Sequence, residues 1–519
     1  MQKRKKAYIV VLTTTALISI IIYGCKKSFI DRRPIGQYTI ETYFTTEDRA
    51  FQGVVGVYDV TGWNRTFDKM FWALGDGGSD DTPIGLNRDD GSPPYVGINP
   101  VVDYTNVGAA KLSPAMENVY EGFYEGVYRA NVVINALEKS TIDKTKSDRF
   151  LAEVKTLRAI YYFMLVNYYG GVPLYTTPIN PGDESSATLP RASVREVYDL
   201  IEKDLVESIA NLPTKAQTAS ENMLGRLTKG AASTLLAKAY LFDKKYAEAA
   251  STALNIINSG EYSLNPDYYA NFVEATTNGV ESIWEIMRAE NYTDNGGGWG
   301  PDSYDGTGTP VAVACGGWGQ NSPSGDLFSQ FEPGDIRRKY TATLETDVLQ
   351  GVQMCGTPAA PGMAKHVIPG KKEGDFPRSD IIALNWVLFR YADVLLMRAE
   401  ALAAASPAGS PAPLDAVNLL VQIRTRATLT SPTAAQFATY TSEELLRSIR
   451  SERRRELGME AWRLFDLRRW GADSIKNALM RVGKINTTDR PWKDAYLLYP
   501  FPQSEIELSK GAVVQNPGY

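Results

Sequence analysis

The stretch LTKGAASTLLAKAYLFDKKYAEAASTALNIINSG, residues 227–260, decides the fold. Large and small apolar residues recur in it at helical spacing, and the small ones allow two antiparallel helices to approach closely. Their order matches the large, small and aromatic positions of a 34-residue tetratricopeptide unit. An alanine-rich helical hairpin of another kind is the alternative. The positions concerned are Leu236, Ala237, Tyr240, Ala249, Ala253 and Ile256.

Similar patterns continue on both sides of this hairpin. WVLFRYADVLLMRAEALAAA, residues 386–405, reads as a helix, and LDAVNLLVQIRTRA, residues 414–427, supplies its partner after a loop over 406–413. Residues 117–169 are also helical in character, and a further helix is predicted from about Ser193, where Glu196 completes a capping box. The fold class is therefore mainly α, with tetratricopeptide-like hairpins forming a solenoid frame.

Composition excludes several classes of function. The chain carries 55 Lys and Arg against 60 Asp and Glu, so its net charge of −5 makes nucleic acid a poor partner. The single histidine, His366, excludes multi-histidine metal sites and argues against a Ser-His-Asp enzyme. No nucleophile elbow, P-loop, dinucleotide fingerprint or HExxH motif is present. We expect no cofactor and no metal site.

The N-terminus is typical of a bacterial lipoprotein. A basic stretch, MQKRKK, precedes an apolar run over residues 7–23, which is short for a membrane span, and Cys25 follows Gly24. Cleavage before Cys25 and its lipidation would leave residues 1–24 as a signal peptide. The alternative is an anchor helix with an incidental cysteine.

Two long stretches, residues 63–114 and 290–377, lack periodicity and are rich in glycine, proline and aromatic residues. Such stretches are usually functional or disordered, and their tryptophans argue against disorder, so we expect structured loops that carry a ligand surface. In the first, FWALGDGGSDD ends at Asp80 and Asp81, which could bind calcium, accept sugar hydroxyls or cap turns.

The second stretch contains tryptophans flanked by glycine, in GGGWGPDSYDGTG and ACGGWGQNSPSG. An exposed indole face stacks on pyranose rings, while nearby polar side chains bind hydroxyl groups. The alternative is that these rings plug the loops onto the helical frame. The candidate ligand-binding residues are Trp63, Trp72, Asp80, Asp81, Trp299, Tyr304, Trp318 and Asn321.

Two further features of the sequence concern its arginines and its cysteines. Arg453, Arg454 and Arg455 are interleaved with acidic residues at helical spacing, which favours a helix laced with internal ion pairs over a phosphate site. Cys315 and Cys355 are left in a compartment that permits disulfides, and either pairing or two isolated thiols is possible.

Several of these segments together resemble the SusD/RagB family of outer-membrane nutrient-binding lipoproteins of Bacteroidetes. They include the lipobox cysteine, FWALGDGGSDD, RAIYYFMLVNYYGGVPLY (158–175), ERRRELGMEAWRLFDLRRWG (452–471) and the terminal YPFPQSEIELSKGAVVQNPGY (499–519). The resemblance implies a helical fold with no catalytic activity. It also implies a partner, a SusC-type TonB-dependent transporter, on which the lipoprotein sits as a lid and to which it passes oligosaccharide.

The sequence therefore predicts a lipid-anchored protein of the outer membrane that faces the cell exterior and captures oligosaccharides. Lys26 and Lys27 depart from the acidic residues that often follow the lipidated cysteine in this family and weaken the prediction of outward display. A peptide or glycopeptide receptor is the alternative, and a surface glycoside hydrolase is a further one. We expect an N-terminal part over residues 25–225 and a C-terminal part over 226–519, packed as one body.

Overall fold

The computed structural model describes residues 43–86, 97–179, 188–288, 321–365 and 384–519. Within these residues, four short 3₁₀ segments cover Val60–Gly62, Tyr268–Phe272, Glu274–Thr276 and Asp494–Leu497. The helices are α1 (Glu47–Asp59), α2 (Lys69–Gly75), α3 (Ile98–Val102), α4 (Val107–Ala110), α5 (Pro114–Leu137), α6 (Lys144–Tyr169), α7 (Val194–Ile209), α8 (Lys215–Ser220), α9 (Lys229–Phe242), α10 (Tyr246–Asn258), α11 (Gly325–Ser329), α12 (Arg338–Thr341), α13 (Tyr391–Ala405), α14 (Leu414–Arg426), α15 (Ala434–Phe437), α16 (Ser442–Leu457), α17 (Arg463–Arg469), α18 (Ala472–Arg481) and α19 (Gln503–Leu508). The strands are β1 (Ser282–Ile286), β2 (Val348–Leu349), β3 (Val352–Gln353) and β4 (Trp386–Arg390).

The hairpin predicted over residues 227–260 is confirmed as α9 and α10, which pack against each other. Thr228 caps α9, because its side chain accepts a hydrogen bond from the Ala231 N–H group. Ala237, Ala249 and Ala253 are fully buried, as close approach of the two helices requires. Helix α10 also packs on α13, which in turn packs on α14, so the hairpins stack in sequence order and the mainly helical frame is confirmed.

The N-terminal helices also pack against their neighbours in sequence. Helices α5 and α6 form the helical region predicted over 117–169, and α7 packs along α6. The capping box predicted at Ser193 and Glu196 is present at the start of α7. Apolar residues of these helices and of the C-terminal hairpins belong to one continuous core cluster.

One helix boundary was predicted wrongly. Residues 386–390 form strand β4, and α13 begins only at Tyr391. The strand pairs antiparallel with β1, and all five residues of each strand are buried. Aromatic and β-branched residues suit this pairing, and the partner strand lies about a hundred residues away in sequence, where a local pattern does not reveal it.

The structure also differs from the surface loop that the sequence predicts over residues 63–114. Residues 63–82 are almost entirely buried and include helix α2, with Phe71 packed edge-on against Trp462 at 5.3 Å between ring centroids. This segment is therefore part of the core and not a surface loop.

The basic segment forms α16 and α17, but most of its ion pairs run to other elements. Arg453 pairs with Asp393 of α13 and Asp466 of α17, whereas Arg455 and Glu452 form a pair within α16. The ion pairs predicted within one helix thus mostly join helices to one another. Among the described residues, each helix is either too short or too polar to cross a membrane.

Candidate functional site: a tyrosine groove

Helix α5 carries three tyrosines, Tyr120, Tyr124 and Tyr128, spaced four residues apart on one face. The opposite side of the helix can approach its neighbours because Gly122 and Gly126 lack side chains. A Cβ atom at Gly126 would lie 2.5 Å from the ring of Tyr161. The glycines therefore seat the helix against the core, and the three tyrosines on the other face pass from buried to exposed along the helix. Tyr120 is 3% exposed, Tyr124 is half-buried and Tyr128 is 41% exposed.

Tyr175 completes the aromatic wall. Its ring lies edge-on to that of Tyr124, with 5.8 Å between centroids, and the rings of Tyr120 and Tyr124 are 4.6 Å apart. The Tyr175 carbonyl accepts a hydrogen bond of 2.8 Å from Nδ2 of Asn131, which is buried on α5. The Tyr124 hydroxyl donates to the Pro173 carbonyl at 2.8 Å, so the two segments are fixed relative to each other.

These four tyrosines border a cavity of about 580 Å³ between α5, residues 175–179 and α19, which we call the tyrosine groove. Tyr128 is 41% exposed and Leu508 of α19 is 73% exposed, so apolar surface is open to solvent along the groove. A concave surface with aromatic walls and a few polar groups is typical of a small-ligand site.

The groove is acidic. Glu121, Glu125 and Glu505 line it, and Arg65 is the one cationic side chain among its described lining residues. Arg65 is already paired with Glu121 at 3.3 Å. Burial raises the pKa of Glu505, and the charges of Glu121 and Glu117 raise it further. This excess of carboxylates disfavours anionic ligands and provides hydrogen-bond acceptors for hydroxyl or amino groups.

Trp63 does not stand in this groove, and the prediction that it contacts ligand is wrong. The indole is 4% exposed and lies between the guanidinium groups of Arg65 and Arg129, at 4.8 and 4.7 Å from its ring centroid. Its Nε1–H group donates to Asp59 at 3.2 Å. Both faces of the ring are covered, so the residue holds Arg65 at the groove edge instead of binding a sugar.

Trp72, Asp80 and Asp81 were also predicted as ligand contacts, and this too is wrong. Trp72 is 1% exposed within α2. Asp80 and Asp81 are fully buried against arginines of α16 and α17, and Arg454 pairs with both carboxylates. Because both carboxylates are buried in ion pairs with arginines, they are not available to calcium or to a ligand at the surface.

Asn321 belongs to the same buried cluster. It is 4% exposed, and its Nδ2 group donates to Asp76 at 3.1 Å. Burial raises the pKa of Asp76 to about 7, with the nearby Asp81 charge as the second cause. Asn321 therefore satisfies a buried carboxyl group and is not available to sugar hydroxyls, which corrects the prediction.

The remaining predicted residues lie outside the described part of the chain. They are Trp299, Tyr304, Trp318, Cys25 and Cys315. Cys355 is described and partly buried, but its predicted pairing with Cys315 stays a prediction. The contact of the loop aromatic residues with ligand likewise stays a prediction.

The tyrosine groove was missed at the level of sequence although its signal was present. The run YEGFYEGVY, residues 120–128, places tyrosine at every fourth position, glutamate after the first two, and glycine after each glutamate. A helix with this pattern has one aromatic and acidic face and one face that packs closely.

Two family models match the chain. One, described as the SusD family, matches residues 349–519, and the other, described as "Starch-binding associating with outer membrane", matches residues 103–241. Among curated relatives, the SusD-like protein P25 of Formosa agariphila is 25% identical over 94% of this chain and 95% of its own length.

Solved structures agree with these matches. A laminarin-binding SusD-like protein is 27% identical with a TM-score of 0.72, covering 92% of this chain and all of its own. Surface glycan-binding protein A from Bacteroides fluxus is 25% identical with a TM-score of 0.71 over the same shares. The two models fall on the N-terminal helices and the C-terminal hairpins, and the relatives match over nearly their whole length, so the chain belongs to the SusD family.

Proposed function

We propose that the protein is a non-catalytic oligosaccharide-binding lipoprotein of the outer membrane that holds its ligand in the tyrosine groove. The observation that carries this proposal is the aromatic wall along one cavity, formed by the exposed Tyr128 and the half-buried Tyr124 and Tyr175, with the buried Tyr120 packed against Tyr124. Flat rings at intervals along a groove suit a chain of pyranose units. The likeness to a laminarin-binding protein supports the same ligand class.

The charge of the side chains that line the groove favours an uncharged glycan as the ligand. Glu121 and Glu125 pair with Arg65 and Arg129, so among the described residues of the groove a uronate or sulfate group would find each nearby cation already paired, and Glu505 adds a further carboxyl group. Hydroxyl groups instead find carboxylate acceptors in Glu121, Glu125 and Glu505. Stacking adds about 0.5–1.5 kcal/mol per ring to the contribution of the buried area, and association itself is costly, so we expect modest affinity, with dissociation constants of micromolar to millimolar order.

The lipid anchor, the transporter partner and the outward display in this proposal rest on the sequence and on the family. Lipidation of Cys25 would anchor the body to the outer membrane, and a SusC-type TonB-dependent transporter would receive the glycan from it. The outer-membrane association in one family description supports this location. Display on the exterior face follows from the same transporter partnership.

Calorimetry with a panel of neutral oligosaccharides tests the proposal. The Tyr128→Ala variant should bind its best ligand about fivefold to tenfold more weakly, because one partly exposed stacking ring is lost. Tyr240→Ala is the matched control, since Tyr240 is a partly buried tyrosine on α9 away from the groove, and its affinity should be unchanged.

Three results would contradict the proposal. Equal affinity of Tyr128→Ala and the unmodified chain would remove the groove as the site. Binding of peptides alone would favour the peptide-receptor alternative. Shorter products after prolonged incubation with oligosaccharide would identify a hydrolase.

A further inference from the structure

A second cavity, unlike the tyrosine groove, lies between α16, α17 and α18. Its volume is about 540 Å³, and five arginines line it without any aspartate or glutamate among the described lining residues. We call it the arginine pocket. Such a concentration of guanidinium groups is unexpected in a chain with net charge −5. The lining arginines are Arg447, Arg450, Arg454, Arg463 and Arg481.

Helical geometry brings these side chains together. Arg447, Arg450 and Arg454 follow one another at three- and four-residue spacing on α16, so they share a face. Arg463 is the first residue of α17, and Arg481 is the last of α18.

Carboxylates behind the pocket, of which Asp80 and Asp81 are fully buried, hold three of the five arginines in place. Arg454 donates to Asp81 at 2.9 Å and to Asp326 at 2.7 Å. Arg463 and Arg481 both donate to Asp80, at 2.8 and 2.6 Å. These contacts fix the guanidinium planes. All three nitrogen atoms of Arg454 donate hydrogen bonds, whereas Arg463 and Arg481 each donate from two.

Several guanidinium nitrogen atoms around the pocket donate no hydrogen bond. Within the described part of the chain, Nη1 of Arg463 and Nη1 of Arg481 make no hydrogen bond, and neither do the guanidinium groups of Arg447 and Arg450. The Nε atom of Arg450 is buried without a hydrogen-bond partner, and Glu400 is 3.6 Å from it. Burial lowers the pKa of Arg450. A buried donor left unsatisfied favours an acceptor from solution.

Two of these arginines are also held over an aromatic ring. The guanidinium carbons of Arg450 and Arg463 lie 4.9 and 5.5 Å from the ring centroid of Trp470. Uncharged polar residues, Ser451, Ser474 and Asn477, occupy other parts of the wall. The pocket therefore combines positioned cations with neutral hydrogen-bonding groups.

We propose that the arginine pocket binds a tetrahedral oxyanion, a sulfate or phosphate group, either free or carried on a sugar. Guanidinium groups from three helices converge on one cavity, and an oxyanion with three or four oxygens can accept from several of them at once. The neutral polar residues would contact the carrier of the group. This site is independent of the tyrosine groove, whose charge has the opposite sign.

The test uses the full chain and inorganic sulfate, titrated by calorimetry at an ionic strength kept constant with sodium chloride. The double variant Arg447→Gln/Arg450→Gln should lose at least about tenfold in sulfate affinity, because it removes two guanidinium groups that make no hydrogen bond among the described residues, Arg450 lying 3.6 Å from Glu400. The single variant Arg447→Gln, at an exposed side chain, should fold normally and lose part of that affinity. Lys203→Gln removes one exposed charge on α7 and should change nothing.

Further arms identify the source of the anion. Tighter binding of glucose 6-sulfate than of inorganic sulfate would show a sugar-borne group, and equal binding would show that the group alone is recognised. Competition by unmodified glucose as strong as that by glucose 6-sulfate would overturn the proposal. So would an absence of sulfate binding, or sulfate affinity that is the same in the double variant. Tyr128→Ala should leave sulfate binding intact, which separates this test from that of the tyrosine groove.

Discussion

Replacing Asp80 with asparagine should destabilise the protein severely, although the change removes a single charge. The carboxylate is fully buried and lies 2.8 Å from Nε of Arg463, 2.6 Å from Nη2 of Arg481 and 3.2 Å from Nη2 of Arg454. Burial alone would raise the pKa of Asp80, but these three guanidinium groups hold it well below its ordinary value. Removing one partner of a buried ion pair costs about 3–5 kcal/mol, because the opposite charges are left uncompensated.

That loss is a large part of the 5–15 kcal/mol by which folded domains are typically stabilised. Urea unfolding of Asp80→Asn at neutral pH measures it directly. The matched control is Asp415→Asn, because Asp415 pairs with Arg398 at 3.4 Å but its side chain is 72% exposed. An exposed pair contributes about 1 kcal/mol or less. If the two variants lose the same stability, the argument from burial is refuted.

The remaining predictions concern the buried tryptophan, an unusual carboxyl group and the lipid anchor. Trp72→Ala should cost about 3–5 kcal/mol of unfolding free energy without changing the sugar affinity of the folded protein, as measured by urea unfolding and calorimetry. Since the pKa of Asp76 is raised to about 7 from 3.8, the folded chain keeps a proton that the unfolded chain has lost between these values, so stability should fall as pH rises through this window. Asp76→Asn should remove that part of the slope in urea unfolding at several pH values, and an unchanged slope would contradict the assignment. Cys25→Ala should move the protein out of the membrane fraction, and its retention there without the transporter would refute the lipid anchor.

The helical frame could be predicted because its signals are local. The spacing of Ala237, Ala249 and Ala253 encodes a close helix contact within 34 residues, and the capping box joins Ser193 to Glu196 three positions later. Strand β4 has no such local signal. Its residues read equally well as the first turns of α13, and only the distant β1 makes them a strand.

Site prediction failed for a related reason. Asp80 and Asp81 occur in a glycine-rich run that suits a ligand loop, but their partners on α16 and α17 are more than 370 residues away in sequence. The same carboxylate can accept a sugar hydroxyl or pair with a buried arginine, and the choice depends on packing that no short pattern contains. Trp63 is an equivalent case, since it lies between Gly62 and Asn64, a local pattern that favours exposure, while Arg129 on α5 covers the ring.

The net charge of a sequence likewise does not predict which ligands a protein binds, because it does not show which charges are buried. The net charge of −5 describes the whole chain, but some acidic side chains, such as Asp80 and Asp81, are buried and form ion pairs with arginines. What a ligand meets is the local distribution of charge among the described residues: three carboxyl groups and one arginine at the tyrosine groove, and guanidinium donors at the arginine pocket. An acidic protein can therefore present a cationic cavity, because a buried carboxylate that orients an arginine leaves some of its five N–H donors free for a ligand. Exclusion by net charge applies to extended polyanions such as nucleic acid, which contact a broad surface, and not to a single sulfate or phosphate group.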